Sequence, residues 1–261
     1  DLFSLYSPGD VYITSITSGT GFTQDPTDYT IYFALCKDVI GYYNHVKELS
    51  PALQQIEANG NCRQNQGDSN YQYCENKLDT ISAGSEMGKV GRLQGNFDFG
   101  LIDISKTNNF SNPQRYGFRS LHVQCPYDYY DAANKEKFFN LITRNDAKQC
   151  GEVMQDISGT AQGNWFYSTA RAYSGSDWDK HLSLAYDNKE PNVQVVSTGG
   201  TFTTAGTWKF TPQNSGQTNR NFAQVTPDGN VYCYEATGQE GKILIQLTSA
   251  AELKIEKQSG T

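Results

Sequence analysis

Short runs of alternating apolar and polar residues recur along this chain, each cut off by Gly, Asn, Asp or Pro. That rhythm leaves room for many strands and few helices. Residues 10–17 set Val11, Ile13 and Ile16 along a strand, and 29–36 form a second, strongly apolar one. Lys37-Asp38 then turns the chain and 39–46 returns beside it. Ser50 followed by Pro51 is a helix start, with a side-chain oxygen at the N-cap and Pro at the first helical position, so a short helix is expected through Ile56. Residues 59–76 read as a polar insertion, 84–90 as a Gly-punctuated turn and strand, and 97–104 as an alternating strand. A further strand is expected at 117–124, and a helix within 127–141 with Phe138, Phe139 and Leu141 on one face.

After Gly151 the texture changes to eight short strand-like runs, at 165–173, 181–186, 193–197, 207–211, 222–225, 231–235, 242–247 and 252–256. Asp228-Gly229, preceded by Pro227, reads as a hairpin turn between two of them. The expected fold is mainly β. An antiparallel β-barrel or sandwich over 1–155 is followed by a small antiparallel barrel or sandwich over 156–261, with few short helices.

An apolar fraction of 37% in 261 residues supplies a real core. The net charge of −7 argues against nucleic acid, whose phosphates need a basic surface. No apolar run is long enough to span a bilayer. The sequence opens at Asp1 without Met or signal peptide, as a processed or trimmed form would. Six cysteines without a C-x-x-C pair, beside only 3 His, point to disulfides and hence to a secreted or cell-surface setting. Cys62 and Cys74 bracket a loop that a local bridge would staple. Cys125 and Cys150 flank the expected helical segment and form a second pair, leaving Cys36 and Cys233 to pair or to stay free.

Four segments of the first half carry the chemistry. An opening turn, Ser7-Pro8-Gly9-Asp10-Val11, leads into a strand. Tyr43-Asn44-His45-Val46-Lys47-Glu48-Leu49 follows, and then Gly84-Ser85-Glu86-Met87-Gly88-Lys89-Val90-Gly91 with Asn96-Phe97-Asp98-Phe99-Gly100-Leu101. In this order, over about residues 7–115, they resemble the lysostaphin-like zinc endopeptidases. Those enzymes show Y-x-H-L-x-x-L, G-x-x-[IV]-G-x-x-G and H-x-H-F-x-[LV] in the same succession. The resemblance implies a compact antiparallel β-barrel of a kind that cleaves peptidoglycan cross-links with zinc held by two His and one Asp. His45 falls on the family's catalytic His. Asp98 falls where the family supplies a zinc-binding His, and Asn96 where it supplies a second catalytic His. The family's first ligand segment, an H-x(n)-D run, would precede Asp1. A catalytic zinc needs three protein ligands and an open position, so the expectation is a degenerate metal site with no cofactor. Zinc returns as the alternative if the missing ligands lie upstream.

The bland readings stand beside these. His45 is read as a satisfied structural histidine, Asp98 as a carboxylate bonded to backbone amides, and the glycines as turn and close-packing residues. In the second half, Asp177 and Asp179 with Asp187 are candidates for Ca²⁺ ligation, although the pattern lacks the Gly and Glu of an EF-hand loop. Trp165, Trp178 and Trp208, with Tyr167, Tyr173 and Tyr186, are candidates for an aromatic platform under sugar rings or for plain core. The expected function is therefore a secreted, non-catalytic binding or surface-assembly protein. Its partners would be a cell-wall or surface glycan or peptide, or further copies of itself. The alternatives are an active zinc-dependent wall hydrolase and a subunit of an extracellular filament or surface layer.

Overall fold

The computed structural model describes residues 1–19, 28–64, 71–91, 97–172, 175–236 and 239–259. The fold is mainly β, with three antiparallel sheets among the described residues. The chain divides into two compact units, Asp1–Thr107 with His122–Tyr130, and Asn108–Leu121 with Asp131–Thr261. The segments 108–121 and 131–155, which the sequence reading put in the first domain, thus cluster with the second unit.

The first unit is built on one sheet. Its strands are β1 (Phe3–Tyr6), β2 (Val11–Gly19), β3 (Asp28–Cys36), β4 (Val39–Leu49), β5 (Asn61–Gln64), β6 (Tyr71–Ile81), β7 (Glu86–Val90), β8 (Asp98–Asp103) and β9 (Val123–Gln124). They run in the order β1-β7-β4-β3-β2-β6-β5, with β8 joining β4 to β9. Strand β4 is therefore flanked by β3 on one side and by both β7 and β8 on the other. The alternation read from the sequence drives this arrangement: Ile13, Ile16, Ile31, Phe33, Val46 and Met87 are fully buried. Helix α1 (Pro51–Ala58) starts where expected, with the Ser50 hydroxyl accepting from the Leu53 amide, and it buries Leu53. The polar insertion is partly strand, because β5 and the start of β6 pair there and set Cys62 opposite Cys74 in the disulfide.

Two expectations for the middle of the chain change. Residues 117–124 form a short helix, α2 (Phe118–His122), before the two residues of β9; the Leu121 amide closes a turn onto the Gly117 carbonyl. The next helix, α3 (Ala132–Phe139), is capped by the Asp131 carboxylate, and the Leu141 expected on its apolar face is 82% exposed.

The second unit contains a four-stranded sheet, β10 (Gly163–Phe166), β11 (His181–Tyr186), β12 (Gln194–Thr198) and β13 (Gly206–Phe210), and a three-stranded one, β14 (Tyr232–Tyr234), β15 (Lys242–Ser249) and β16 (Glu252–Gln258). Leu184, Val196, Trp208 and Phe210 of the first meet Tyr232, Tyr234, Ile243, Ile245 and Leu247 of the second in a single core, as in a sandwich. The expected strand at 222–225 is a single 3₁₀ turn. Asn221 caps it by accepting from the Ala223 amide, and Phe222 and Val225, three apart, both reach the core. Asp228-Gly229 thus joins that turn to β14, not two strands.

Among the described residues no helix is long and apolar enough to cross a membrane. Cys62–Cys74 is a disulfide, and Cys125 and Cys150 are also disulfide-bonded. Cys36 and Cys233, included above as candidate disulfide partners, are both free. Each sits on a strand of a different unit, β3 and β14.

Candidate functional site in the first unit

The site follows from an irregularity in β4. Antiparallel pairing matches Ile31 with Tyr43 and Tyr29 with Val46, so β4 spends one more residue than β3 over this stretch. The surplus is a β-bulge at Asn44 and His45, a device that re-aims side chains and that clusters near functional sites. His45 takes the left-handed backbone conformation, φ 61°, which a residue with a side chain adopts only at a cost.

The turned side chain stands between two carboxylates. His45 Nδ1 is 3.1 Å from Asp28 Oδ2, and His45 Nε2 is 3.6 Å from Asp98 Oδ2. Asp98, opposite Asn44 across the β4–β8 pair, also accepts from the Asn44 side-chain amide at 3.4 Å. The two carboxylates differ in setting. Asp28 is buried, and its Oδ1 has no hydrogen-bond donor among the described residues, whereas the Asp98 side chain is about half exposed. Beneath the site, Tyr43 packs against Phe33, Phe97 and Phe99 at ring distances of 5.1–5.2 Å. Burial pushes the Tyr43 phenol far above its usual range, and its hydroxyl donates to the Tyr6 carbonyl.

This geometry orients an imidazole, since each nitrogen faces a carboxylate. Two carboxylates face one imidazole here, so acidic groups outnumber basic ones among these three side chains. The two residues singled out by the motif, His45 and Asp98, are together. Asn96 lies outside the described residues. Asp28 was not singled out from the sequence. Plain counting back from the Lys37-Asp38 turn sets residue 30, not 28, opposite 45, and the irregular register of the β3–β4 pair does not show in the sequence.

The donor set does not fit the zinc that the resemblance implies. Both imidazole nitrogens are engaged by carboxylates, and among the described residues no group of three or more His, Cys, Asp or Glu is arranged to hold a metal ion. The calcium candidates are also dispersed into other bonds. Asp177 pairs with Arg171, whose side chain and amide hold its carboxyl down at about 2; Asp179 accepts from the Thr201 hydroxyl; Asp187 binds Lys209.

The three tryptophans do not form one platform. Trp208 is buried in the core of the second unit. Trp165 is half-buried, with its indole N–H donating to the Ala161 carbonyl. Trp178 is 71% exposed, 5.7 Å from the His181 ring. Of the tyrosines, Tyr167 is exposed, Tyr186 accepts from Asn221, and Tyr173 lies outside the described residues. No family model, curated protein or solved structure matches this chain.

Proposed function

We propose that this is an extracellular, non-catalytic protein that binds cell-wall or surface material, with a first unit built on a decayed lysostaphin-like barrel. The observation that carries the reading is His45 held between Asp28 and Asp98. The position that matches a catalytic His is kept, but its nitrogens are turned to carboxylates. Two carboxylates around one imidazole suit a ligand ammonium group, such as a free amine on a wall peptide, and the disulfides fit an oxidising compartment.

The test is co-sedimentation with purified peptidoglycan before and after acetylation of its free amines. Wild-type protein is expected to pellet with the untreated wall. Acetylation and Asp98→Asn should each release it. Retention that neither treatment changes would remove the site from the function. Zinc that stays bound one-to-one after dialysis, and is lost in His45→Ala, would instead favour the second reading, an active wall hydrolase. That reading draws on one observation: His45, which matches a catalytic His of the family, and Asp98, which matches a zinc-binding position, remain 3.6 Å apart.

A further inference from the structure

The second unit contains a cleft of about 930 Å³, lined by the β10 strand with the turn before it, by the start of β11, and by the β15–β16 turn. That volume suits a small molecule or a few sugar rings. Aromatic surface is the first clue to its occupant. Trp165, Phe166 and Tyr167 succeed one another along the wall. The Trp165 N–H is already spent on Ala161, so it offers ring surface, and Tyr167 is 41% exposed.

Charge is the second clue. Arg115 lies 5.6 Å over the Phe166 ring and donates to the Ala170 carbonyl, and among the described residues it has no carboxylate partner. The carboxylate of Asp156, also on the wall, is taken up by two backbone amides, those of Ser111 and Asn164 at 2.9 and 3.1 Å. Glu252 is the other carboxylate on the wall, against Arg115, Lys180 and Lys254. The cleft is thus locally cationic in a chain of net charge −7.

The third clue is an orphaned acceptor. Gln162 lines the cleft at 8% exposure, and its side-chain N–H₂ donates to Gln155, but its Oε1 is buried with no donor among the described residues. Leaving such a group unmatched costs free energy that a ligand hydroxyl would recover. An extended peptide adding to the β10 edge fits less well, because the outward amide of Asn164 is already capped by Asp156.

We propose that this cleft binds a saccharide bearing a carboxylate. The sugar ring lies on the Tyr167–Trp165 surface, Arg115 pairs with the carboxylate, and a ring hydroxyl donates to Gln162 Oε1. Guanidinium–carboxylate pairing is directional and strong in a partly desolvated site, and aromatic rings give the sugar an apolar floor. The proposal goes beyond the reading of His45 and uses none of its residues.

Calorimetry on the full chain tests it with two probes: a tetrasaccharide alternating glucuronate and N-acetylglucosamine, and neutral tetra-N-acetylchitotetraose. The acidic probe is expected to bind about tenfold or more tighter than the neutral one, the size of a single charge-assisted contact. Arg115→Ala should erase that difference, Arg115→Lys should restore part of it, and Tyr167→Ala should weaken both probes. Circular dichroism of each variant checks that the fold is kept. His45→Ala should leave both affinities unchanged, so this proposal and the wall-binding reading fail separately. No binding of the acidic probe, or a preference for it that survives Arg115→Ala in a folded protein, overturns the assignment.

Discussion

At φ 61°, His45 sits in a conformation that suits glycine, inside a strand where glycine is ordinarily unfavourable. The left-handed backbone costs a residue with a Cβ roughly 1–2 kcal/mol, and something in the native structure has to offset it. The imidazole held by Asp28 and Asp98 is the evident compensation. His45→Ala and His45→Gly delete the same ring and the same two carboxylate contacts, so the difference between them isolates the backbone. The Gly variant is expected to be more stable than the Ala variant by about 1 kcal/mol in urea unfolding, the reverse of their usual order within a strand. Equal stabilities, or Ala ahead, would mean that the bulge relaxes once the ring is gone. His45 and Asp98 were legible in the sequence because each sits in a short motif with fixed spacing. Asp28 was not, because no motif carries it and its role exists only through the register of β3 against β4.

At the scale of elements, β4 holds the site by pairing along both edges, and two glycines let it do so. Gly41 lies opposite Phe33 in the β3–β4 pair, and a Cβ there would come within 2.2 Å of the Phe33 ring. Gly100 lies opposite Tyr42 in the β4–β8 pair, where a Cβ would come within 2.0 Å of that ring. The two clashes are alike in distance but not in consequence. Phe33 is fully buried and has nowhere to move, whereas Tyr42 is only partly buried and its ring can swing toward solvent. Gly41→Ala is therefore expected to cost at least the 1–3 kcal/mol typical of overpacking, roughly, and Gly100→Ala clearly less. Denaturant titration of the two variants checks the order, and equal losses would contradict the role given to Phe33. Strands with clean alternation were readable because one face had to be buried, as with Ile13, Ile31 and Phe33. The misread elements are those where an apolar run has another explanation. Phe222 and Val225 serve a capped turn at a spacing of three, and Phe118-Arg119-Ser120-Leu121-His122 closes a helical turn through backbone bonds that leave no mark in the side-chain pattern.

For the molecule as a whole, the cysteines give a readout that spans both units without depending on either proposed site. Four of the six are in disulfides and two remain thiols. Cys36, at the end of β3 in the first unit, is exposed; Cys233, within β14 in the second, is partly buried. Burial pushes the Cys233 thiol above its ordinary value, and the nearby Glu235 carboxylate adds to the effect. Only the thiolate attacks a disulfide reagent, so the two thiols should react with an aromatic disulfide such as DTNB in distinct phases on native protein. Cys36 is expected to react fast and Cys233 slowly, with the slow phase accelerating as pH rises toward the elevated thiol value. Cys36→Ser should remove the fast phase alone, and total release should stay at two thiols per chain until denaturant and reductant are added together. A single phase, or fewer than two thiols on the unfolded but unreduced chain, would show that Cys36 or Cys233 is engaged in a bond. An accessible thiol is also a handle for joining copies under oxidising conditions. If surface assembly is part of its role, wild-type protein stored under oxidising conditions should give a reducible dimer on a gel, and Cys36→Ser should not.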